Sequence, residues 1–472
     1  MEYIKKIFNT IEKQLKNSNN TYIVGGFIRD VLLKRKTNDI DIVIENNIEN
    51  FSKKIADKLH GSWVVLDMKR NIFRVVVNKY NIDFTKLYYR NIYRDLLRRD
   101  FTINAIALKL NDWKCIFNIE NNLDKLIDPL NGINDLNKKI IKTVKNDIFI
   151  KDPLRLLRAY RISAELDFYI DNKTQKLIKK YSYLITLSAK ERVSYELFRI
   201  FNTQNAGFII EDIEKNNILS YLIPEIKQIK RSPYKYYFHP KGLWQHSVES
   251  LKSLEYILNN LKKLFNNYEK KIIENIKNRI PLLKFITLLH DISKPQTVKI
   301  IDNRPRFFNH EIEGSKKIKN IFKRLKFSNN SVRIAEKLVF NHMRPGNLSQ
   351  LKKITDRAIY RFLRDIDNET IDLLLLSLAD RHSYIKETGR TEDYNVHKKF
   401  VYNMIKKIFQ QKEKNKKLPK IIDGNIVMKY FNLTPGPLIG KILEFVKENQ
   451  ITGKINTTEQ AISLIKEKFL KT

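Results

Sequence analysis

A mixed α+β domain at the N-terminus, followed by a long all-helical region, is the architecture the sequence predicts, and three observations lead to it. At 472 residues the chain exceeds what one core organises, and a chain of that length prefers about three domains. Over the first 140 or so residues the apolar side chains come in short β-branched runs, YIVGG, DIDIVI and FRVVV, interleaved with helical stretches. From about residue 145 onward nearly every segment has helical periodicity, with few strand-like runs. Polar breaks near 202–206, 230–241, 302–309 and 386–395 are candidate joints, and KIFQQKEKNKKLPK (407–420) reads as a basic hinge before a last helical unit.

Composition bounds the function. Hydrophobic residues at 42% and aromatics at 11% suffice for true cores, which sets disorder aside. Lys and Arg number 89 against 52 acids, a net charge of +37 that draws polyanions in. Nucleic acid is the leading partner, and an anionic membrane surface the alternative. No apolar stretch reaches the roughly 18 residues a bilayer span requires. The opening MEYIKKIFNTIEKQLKN is amphipathic and lacks a signal-peptide core. A single cysteine, Cys115, excludes an intrachain disulfide and fits a reducing cytoplasm.

The densest chemistry lies in TYIVGGFIRDVLLKRKTNDIDIVIE (21–45). Residues 39–44 read D-I-D-I-V-I, a short strand in which Asp39 and Asp41 share one face about 6.6 Å apart, while Ile40 and Ile42 bury the other. Two such carboxylates suit a pair of Mg²⁺ ions about 3.5–4 Å apart, the arrangement behind in-line phosphoryl transfer. Upstream, Gly25 and Gly26 end a strand and open a helix carrying Arg29 and Asp30, a turn whose backbone N–H groups can approach phosphates.

RDLLRRDFTINAIAL (94–108) places Arg98, Arg99 and Asp100 before an apolar, helix-like run containing Asn104. Arginine forks suit triphosphate oxygens. Asp100 and Asn104, four apart on a helix, would face the same way and bind a ribose hydroxyl. DPLNGINDL (128–136) reads as a turn with a helix starting at Asp135. In KDPLRLLRAYRISAEL (151–166), Asp152 precedes Pro153 as an N-cap, and Asp152, Arg155 and Arg158 line one helix face.

In this order, GGxxRD with DID, RRDFTINA, DPLNG, DPLR and SAKERVSYELFRIF (188–201) resemble the successive motifs of the class II tRNA nucleotidyltransferases and bacterial poly(A) polymerases, within the polymerase-β-like superfamily. The resemblance implies a third carboxylate on a later strand, which Ile82-Asp83-Phe84 matches. It implies that Asp39, Asp41 and Asp83 are catalytic, and that Gly25, Gly26, Arg29, Arg98, Arg99, Asp100 and Asn104 handle the nucleotide. Asp152 and Arg155, with Arg158 beside them, would read the base edge of the incoming ATP or CTP. Lys151 stands where that family usually carries Glu, a departure that leaves base choice open. Glu191 and Arg192 would open a helix bracing the base-reading one. The acceptor implied is tRNA, extended by C, A or both; addition of a longer poly(A) tail is the alternative, and an HD phosphohydrolase or RNA-binding protein the more distant one.

The helical half concentrates the scarce histidines. His246, the His290-Asp291 doublet, His310, His342 and Asp380 follow in an order resembling the HD phosphohydrolase superfamily over roughly 240–385. That resemblance implies a divalent transition metal, bound by His246, His290, Asp291 and Asp380, with His310 and His342 completing a second position. Metal-activated water there would attack a phosphoester such as a 2′,3′-cyclic phosphate on RNA. The tail segment PGPLIG resembles the end of HD-containing tRNA nucleotidyltransferases, with Lys441 near a tRNA contact. The expected domains are 1–140, a nucleotidyltransferase head; 141–235, a helical neck and body; 236–390, the HD domain; and 391–472, a helical tail.

Overall fold

The computed structural model describes residues 2–15, 20–233, 240–352, 354–415, 421–451 and 453–469. Residues 416–420 of the basic hinge and 234–239 of the second polar break lie outside these. The chain forms two compact units, Met1–Thr203 with Asp212–Leu222, and Gln204–Glu211 with Ile223–Thr472.

The first unit is built on a seven-stranded sheet. Its strands are β1 (Thr21–Val24), β2 (Asp39–Ile44), β3 (Ser62–Asp67), β4 (Ile72–Val77), β5 (Tyr80–Lys86), β6 (Ala107–Lys109) and β7 (Leu126–Ile127), in the spatial order β3-β4-β5-β2-β1-β6-β7. Strand β4, and β5 as far as Thr85, alternate between buried and half-buried residues, as strands with one face on a core must. The pair β2–β5 is parallel, and the chain between them crosses over through the helix Ile48–Leu59 and the β3–β4 pair. On one face Ile23, Ile40, Ile42, Phe73, Ile82 and Phe84 pack with Phe8, Ile11 and Ile55 from the helices Glu2–Gln14 and Ile48–Leu59. Each buried phenylalanine there stabilises the fold by about 2–3 kcal/mol. The opposite face is covered only in part, by a small cluster including Val43, Leu87, Ile92 and Leu96.

Three local expectations need correction. Residues 101–108 are not a helix: a turn at Thr102–Asn104 leads into β6, because the run A-I-A-L finds hydrogen-bonding partners along β1 and tertiary pairing overrides local pattern. The helix after Pro129 begins at Gly132 rather than Asp135, since the Asp128 carboxylate accepts from the Gly132 and Ile133 amides at 2.7 and 2.8 Å and fixes the first turn there. The helix Arg155–Leu166 starts after Asp152, whose Oδ1 accepts from the Leu154 amide at 3.2 Å in a turn preceding the helix.

The second unit is helical. The helix Ile280–Leu289, IPLLKFITLL, is buried all round, and Leu243–Asn259 and Thr370–Ser383 pack beside it. The expected joint at 302–309 is instead the turn and second strand of a hairpin, Val298–Ile301 with Arg304–Phe307. The last three helices, Gly424–Phe431, Pro437–Ile451 and Thr458–Phe469, enclose a core of their own around Val427, Ile442 and Ile465. No helix among the described residues is long and apolar enough to cross a membrane.

Candidate active site and a histidine–aspartate cluster

Residues paired across neighbouring strands point to the same side of a sheet, so Arg74, Asp83, Asp41 and Val24 form one row across β4, β5, β2 and β1. Asp39, two residues from Asp41, projects from the same face. Its Oδ1 accepts from Asn81 Nδ2 at 2.9 Å, and Asp83 accepts a two-pronged bond from Arg74 at 2.7 and 2.8 Å. Burial pushes the Asp41 carboxyl up to about 6, with Asp83 and Asp39 adding to the rise and Arg99 opposing it. Acids that raise one another in this way are what a bound cation relieves.

Gly25 sits over this row. At φ +72° its backbone occupies a region that L side chains rarely adopt, and a Cβ there would lie 2.9 Å from Arg99 Nη1 and 3.1 Å from Asp41 Oδ2. The glycine turn is thus packed directly against one arginine and one acid of the motif. Arg29, from the helix Gly26–Leu32, donates to Asn104 Oδ1 at 2.8 Å and to Asp30.

Behind the arginines runs a network the sequence only partly foretold. Asp100 is buried, and its oxygens accept from the Phe101 amide, from Asn104 Nδ2 at 3.0 Å and from Arg158 Nε at 2.9 Å. Burial would raise this carboxyl, but Arg158, Asn104 and Arg155 outweigh it and hold it far below the usual range. Asn104, the polar residue in an apolar turn, thereby links Arg29 to Asp100. Asp152 accepts from Arg192 Nη2 at 3.1 Å, and Arg155 Nη2 donates to the Arg98 carbonyl at 3.1 Å. Arg98, Asp100, Asp152, Arg155, Arg158 and Arg192 line a cleft of about 1470 Å³ in which twelve of 22 lining residues are Lys or Arg and three are acids. Its field favours a polyphosphate or an RNA backbone.

Three contributors were missed. Asp95 is fully buried and accepts from Arg98 Nε at 3.0 Å and from Arg99 Nη2 at 3.1 Å. Its spacing of three and four residues from those arginines was the available signal. Arg74, opposite Asp83, was legible only once the β4–β5 register was known. Glu196 accepts from Arg161 Nε at 2.6 Å and faces Arg158, a tertiary pairing with no local signature.

In the second unit, two groups each gather three ligand atoms within 4.8 Å: His246, His290 and Asp380, and Asp291, His310 and His342. Asp291 joins them. Its Oδ2 lies 3.3 Å from both His246 Nε2 and His290 Nε2, and its Oδ1 lies 3.5 Å from His310 Nε2 and 3.6 Å from His342 Nε2. The remaining ring nitrogens face outward. The Nδ1 atoms of His290, His310 and His342 meet the carbonyls of Thr287, Phe307 and Val339 at 2.6–2.8 Å, and His246 Nδ1 meets Ser383 Oγ at 3.1 Å. Carbonyls at Nδ1 keep the proton there and leave Nε2 as a lone-pair donor, the usual outer support of metal-ligating histidines. The His290 Nε2 atom and Asp291 Oδ1 are buried without a well-directed hydrogen bond, and Asp291 Oδ2 faces the Lys294 ammonium at 2.5 Å beside two imidazoles; the gathered imidazole and carboxylate donors fit divalent metal.

Comparison with known proteins places this chain's stretches against domain models. The family model of the Poly A polymerase head domain matches residues 21–142, that of the probable RNA- and SrmB-binding site of polymerase A matches 167–230, and that of the HD domain matches 243–385. The chain thus carries these three domain models in that order and is similar over most of its length to tRNA nucleotidyltransferases. Relatives of this nucleotidyltransferase include the A-adding tRNA nucleotidyltransferase of Deinococcus radiodurans, 28% identical over 94% of each chain. The CC-adding tRNA nucleotidyltransferase of Thermus thermophilus is 27% identical over 94% of this chain and 92% of that one. Among solved structures, a CCA-adding enzyme with ATP superposes with a TM-score of 0.63 at 23% identity, covering 98% of this chain and 95% of that chain. The CCA-adding enzyme of Thermotoga maritima complexed with tRNA gives 0.58 at 21%, covering 97% of each. These likenesses establish the fold.

Proposed function

We propose that this nucleotidyltransferase adds C and/or A residues to the 3′ end of tRNA, using CTP or ATP and releasing pyrophosphate. The observation that carries the reading is that Gly25 packs against both Arg99 and Asp41, so closely that a Cβ there would lie 2.9 and 3.1 Å from them, while Arg99 also lines a strongly cationic cleft. Asp39 and Asp41, with Asp83 alongside, would hold Mg²⁺, which when bound neutralises the charge that develops at the α-phosphate. Arg98 and Arg99, oriented by Asp95, take the triphosphate oxygens as bidentate donors. Asp152 and Arg155 offer an acceptor and a fork of donors to a base edge, and Arg192 keeps Asp152 in place. The RNA 3′-hydroxyl attacks the α-phosphate and loses its proton to water, a phosphodiester bond forms, the α–β phosphoanhydride bond breaks, and pyrophosphate leaves.

The test is incorporation of labelled ATP or CTP, with Mg²⁺, onto tRNAs ending before CCA or after CC and onto an unrelated RNA. Addition to the tRNAs alone is expected. A protein inert toward every acceptor, or an Asp39→Ala variant as active as wild type, would overturn the reading.

A second reading is favoured by the convergence of four imidazole Nε2 atoms on the Asp291 carboxylate. These residues would bind a divalent transition metal and support hydrolysis of a phosphoester such as a 2′,3′-cyclic phosphate. Elemental analysis of wild type and His290→Ala, alongside cleavage of an RNA ending in that phosphate, decides it. Equal metal content in both proteins would remove this site.

A further inference from the structure

The segment Leu87–Arg90, immediately after the strand that carries Asp83, does something the proposed chemistry has not used. Tyr88 and Tyr89 are 42% and 66% exposed, yet they line the same cleft as Arg98, Asp152 and Arg155. Their rings stand 4.2 Å apart in an edge-to-face pair. Arg98 lies over the Tyr88 ring at 4.5 Å and Arg94 over the Tyr89 ring at 5.5 Å. Tyr89 and Arg90 both adopt left-handed backbone angles, φ 51° and 52°, a conformation that favours glycine or asparagine. Tyr89 is the one tyrosine, phenylalanine or tryptophan so placed among the described residues. Neither core packing nor local preference accounts for a bulky ring in that position, and such strain persists where a site requires it.

Resting on the nucleotide-addition reading, we propose that Tyr88 and Tyr89, flanked by Arg94, form the stacking site for the unpaired terminal nucleotides of the RNA acceptor. Asp152 and Arg155 present edge groups, which discriminate bases. Aromatic rings present faces, which accept any base. An acceptor whose last nucleotide changes with each addition needs the second kind of contact. The incoming nucleotide, which must be chosen, needs the first. The neighbouring Lys69, Arg70 and Lys86 supply cations for the acceptor's phosphates.

The experiment uses the full chain and an RNA hairpin with an unpaired 3′ overhang ending in 2-aminopurine, whose fluorescence is quenched on stacking. The hairpin's Kd, the 2-aminopurine quench and the KM for ATP and CTP are measured for wild type, Tyr89→Ala, Tyr88→Ala and Tyr89→Phe. Each alanine variant should bind the overhang hairpin about 10-fold more weakly, one decade or 1.4 kcal/mol, and lose the quench. Tyr89→Phe should restore both, and a blunt hairpin should not distinguish the proteins. The KM for nucleotide should stay within about twofold in the Tyr89 variants; Tyr88→Ala also removes the ring beneath Arg98, so it is read on hairpin binding and quench alone. A raised nucleotide KM with unchanged hairpin Kd would assign the rings to the incoming base and overturn the proposal, as would unchanged values throughout. If wild type adds no nucleotide to any RNA, the functional reading fails on its own. The quench, which needs no turnover, still reports on the tyrosine site.

Discussion

Replacing Asp95 by Asn tests whether the arginine pair is positioned by one buried carboxylate. The substitution is nearly isosteric but removes the charge. Its amide NH₂ group would also turn a donor toward guanidinium donors. Asp95 is fully buried, and it accepts from Arg98 Nε at 3.0 Å and from Arg99 Nε and Nη2 at 3.3 and 3.1 Å. A hydrogen bond to a charged group is worth about 1.5–3 kcal/mol, and losing one member of a buried pair costs about 3–5 kcal/mol. Arg98 is 48% exposed and Arg99 21%, so both guanidinia regain water, which brings the expected loss to the lower range. A total near 2–3 kcal/mol, divided between folding and nucleotide binding, corresponds to a rise in nucleotide KM of roughly 10- to 30-fold if most falls on binding. Steady-state kinetics with varied ATP or CTP at fixed RNA, together with urea unfolding, separate the two shares. Unchanged KM and an unchanged unfolding midpoint would refute the idea that Asp95 holds the arginines.

Gly25→Ala should fold yet lose activity, since at φ +72° the new methyl also meets Arg99 and Asp41 at about 3 Å; a melting temperature lowered by a strain of about 1–3 kcal/mol is expected, and full activity would contradict the packing. Arg158→Met leaves Asp100 buried without its strongest partner, and a destabilisation of about 3–5 kcal/mol is expected in urea unfolding. Because the folded Asp100 carboxyl lies below its unfolded value, its contribution is present above pH about 4 and is lost as pH falls through the folded value. The melting temperature of wild type should therefore drop more steeply below pH 4 than that of Asp100→Asn, and parallel curves would refute the assignment. In metal-free protein the reverse sign holds for Asp41. A carboxyl raised to about 6 contributes stability below its unfolded value that is lost as pH rises through 6, so Asp41→Asn should gain melting temperature over wild type between pH 4 and 7 in a chelator. A flat difference across that window would contradict the shift.

Much of the first site was legible in the chain itself because its signals are local. Strand alternation put Asp39 and Asp41 on one face, and the doubled glycine marked a turn that only glycine accommodates at Gly25. The order of histidines and aspartates likewise announced the second cluster, since each sits at or near a helix end where a ligand meets a buried interior. What stayed hidden depends on strands and helices distant in sequence. The helical pattern of residues 101–108 gave way to β6 because β1 offered backbone partners that no local window contains. Asp100 and Asn104 do face each other, but through a short turn rather than a helix.

By itself, then, the sequence determined which residue types were available, in what order, and which faces of single elements they occupy, because periodicity and turn chemistry act over a few residues. Only the tertiary structure decided that Asp83 stands beside Asp41, that Arg74 grips it, that Asp95 and Asp100 serve as buried anchors, and that Asp291 joins two groups of histidines. Those relations are set by strand register and helix packing, where the desolvation of each charge has to be offset by a partner that the local sequence does not name.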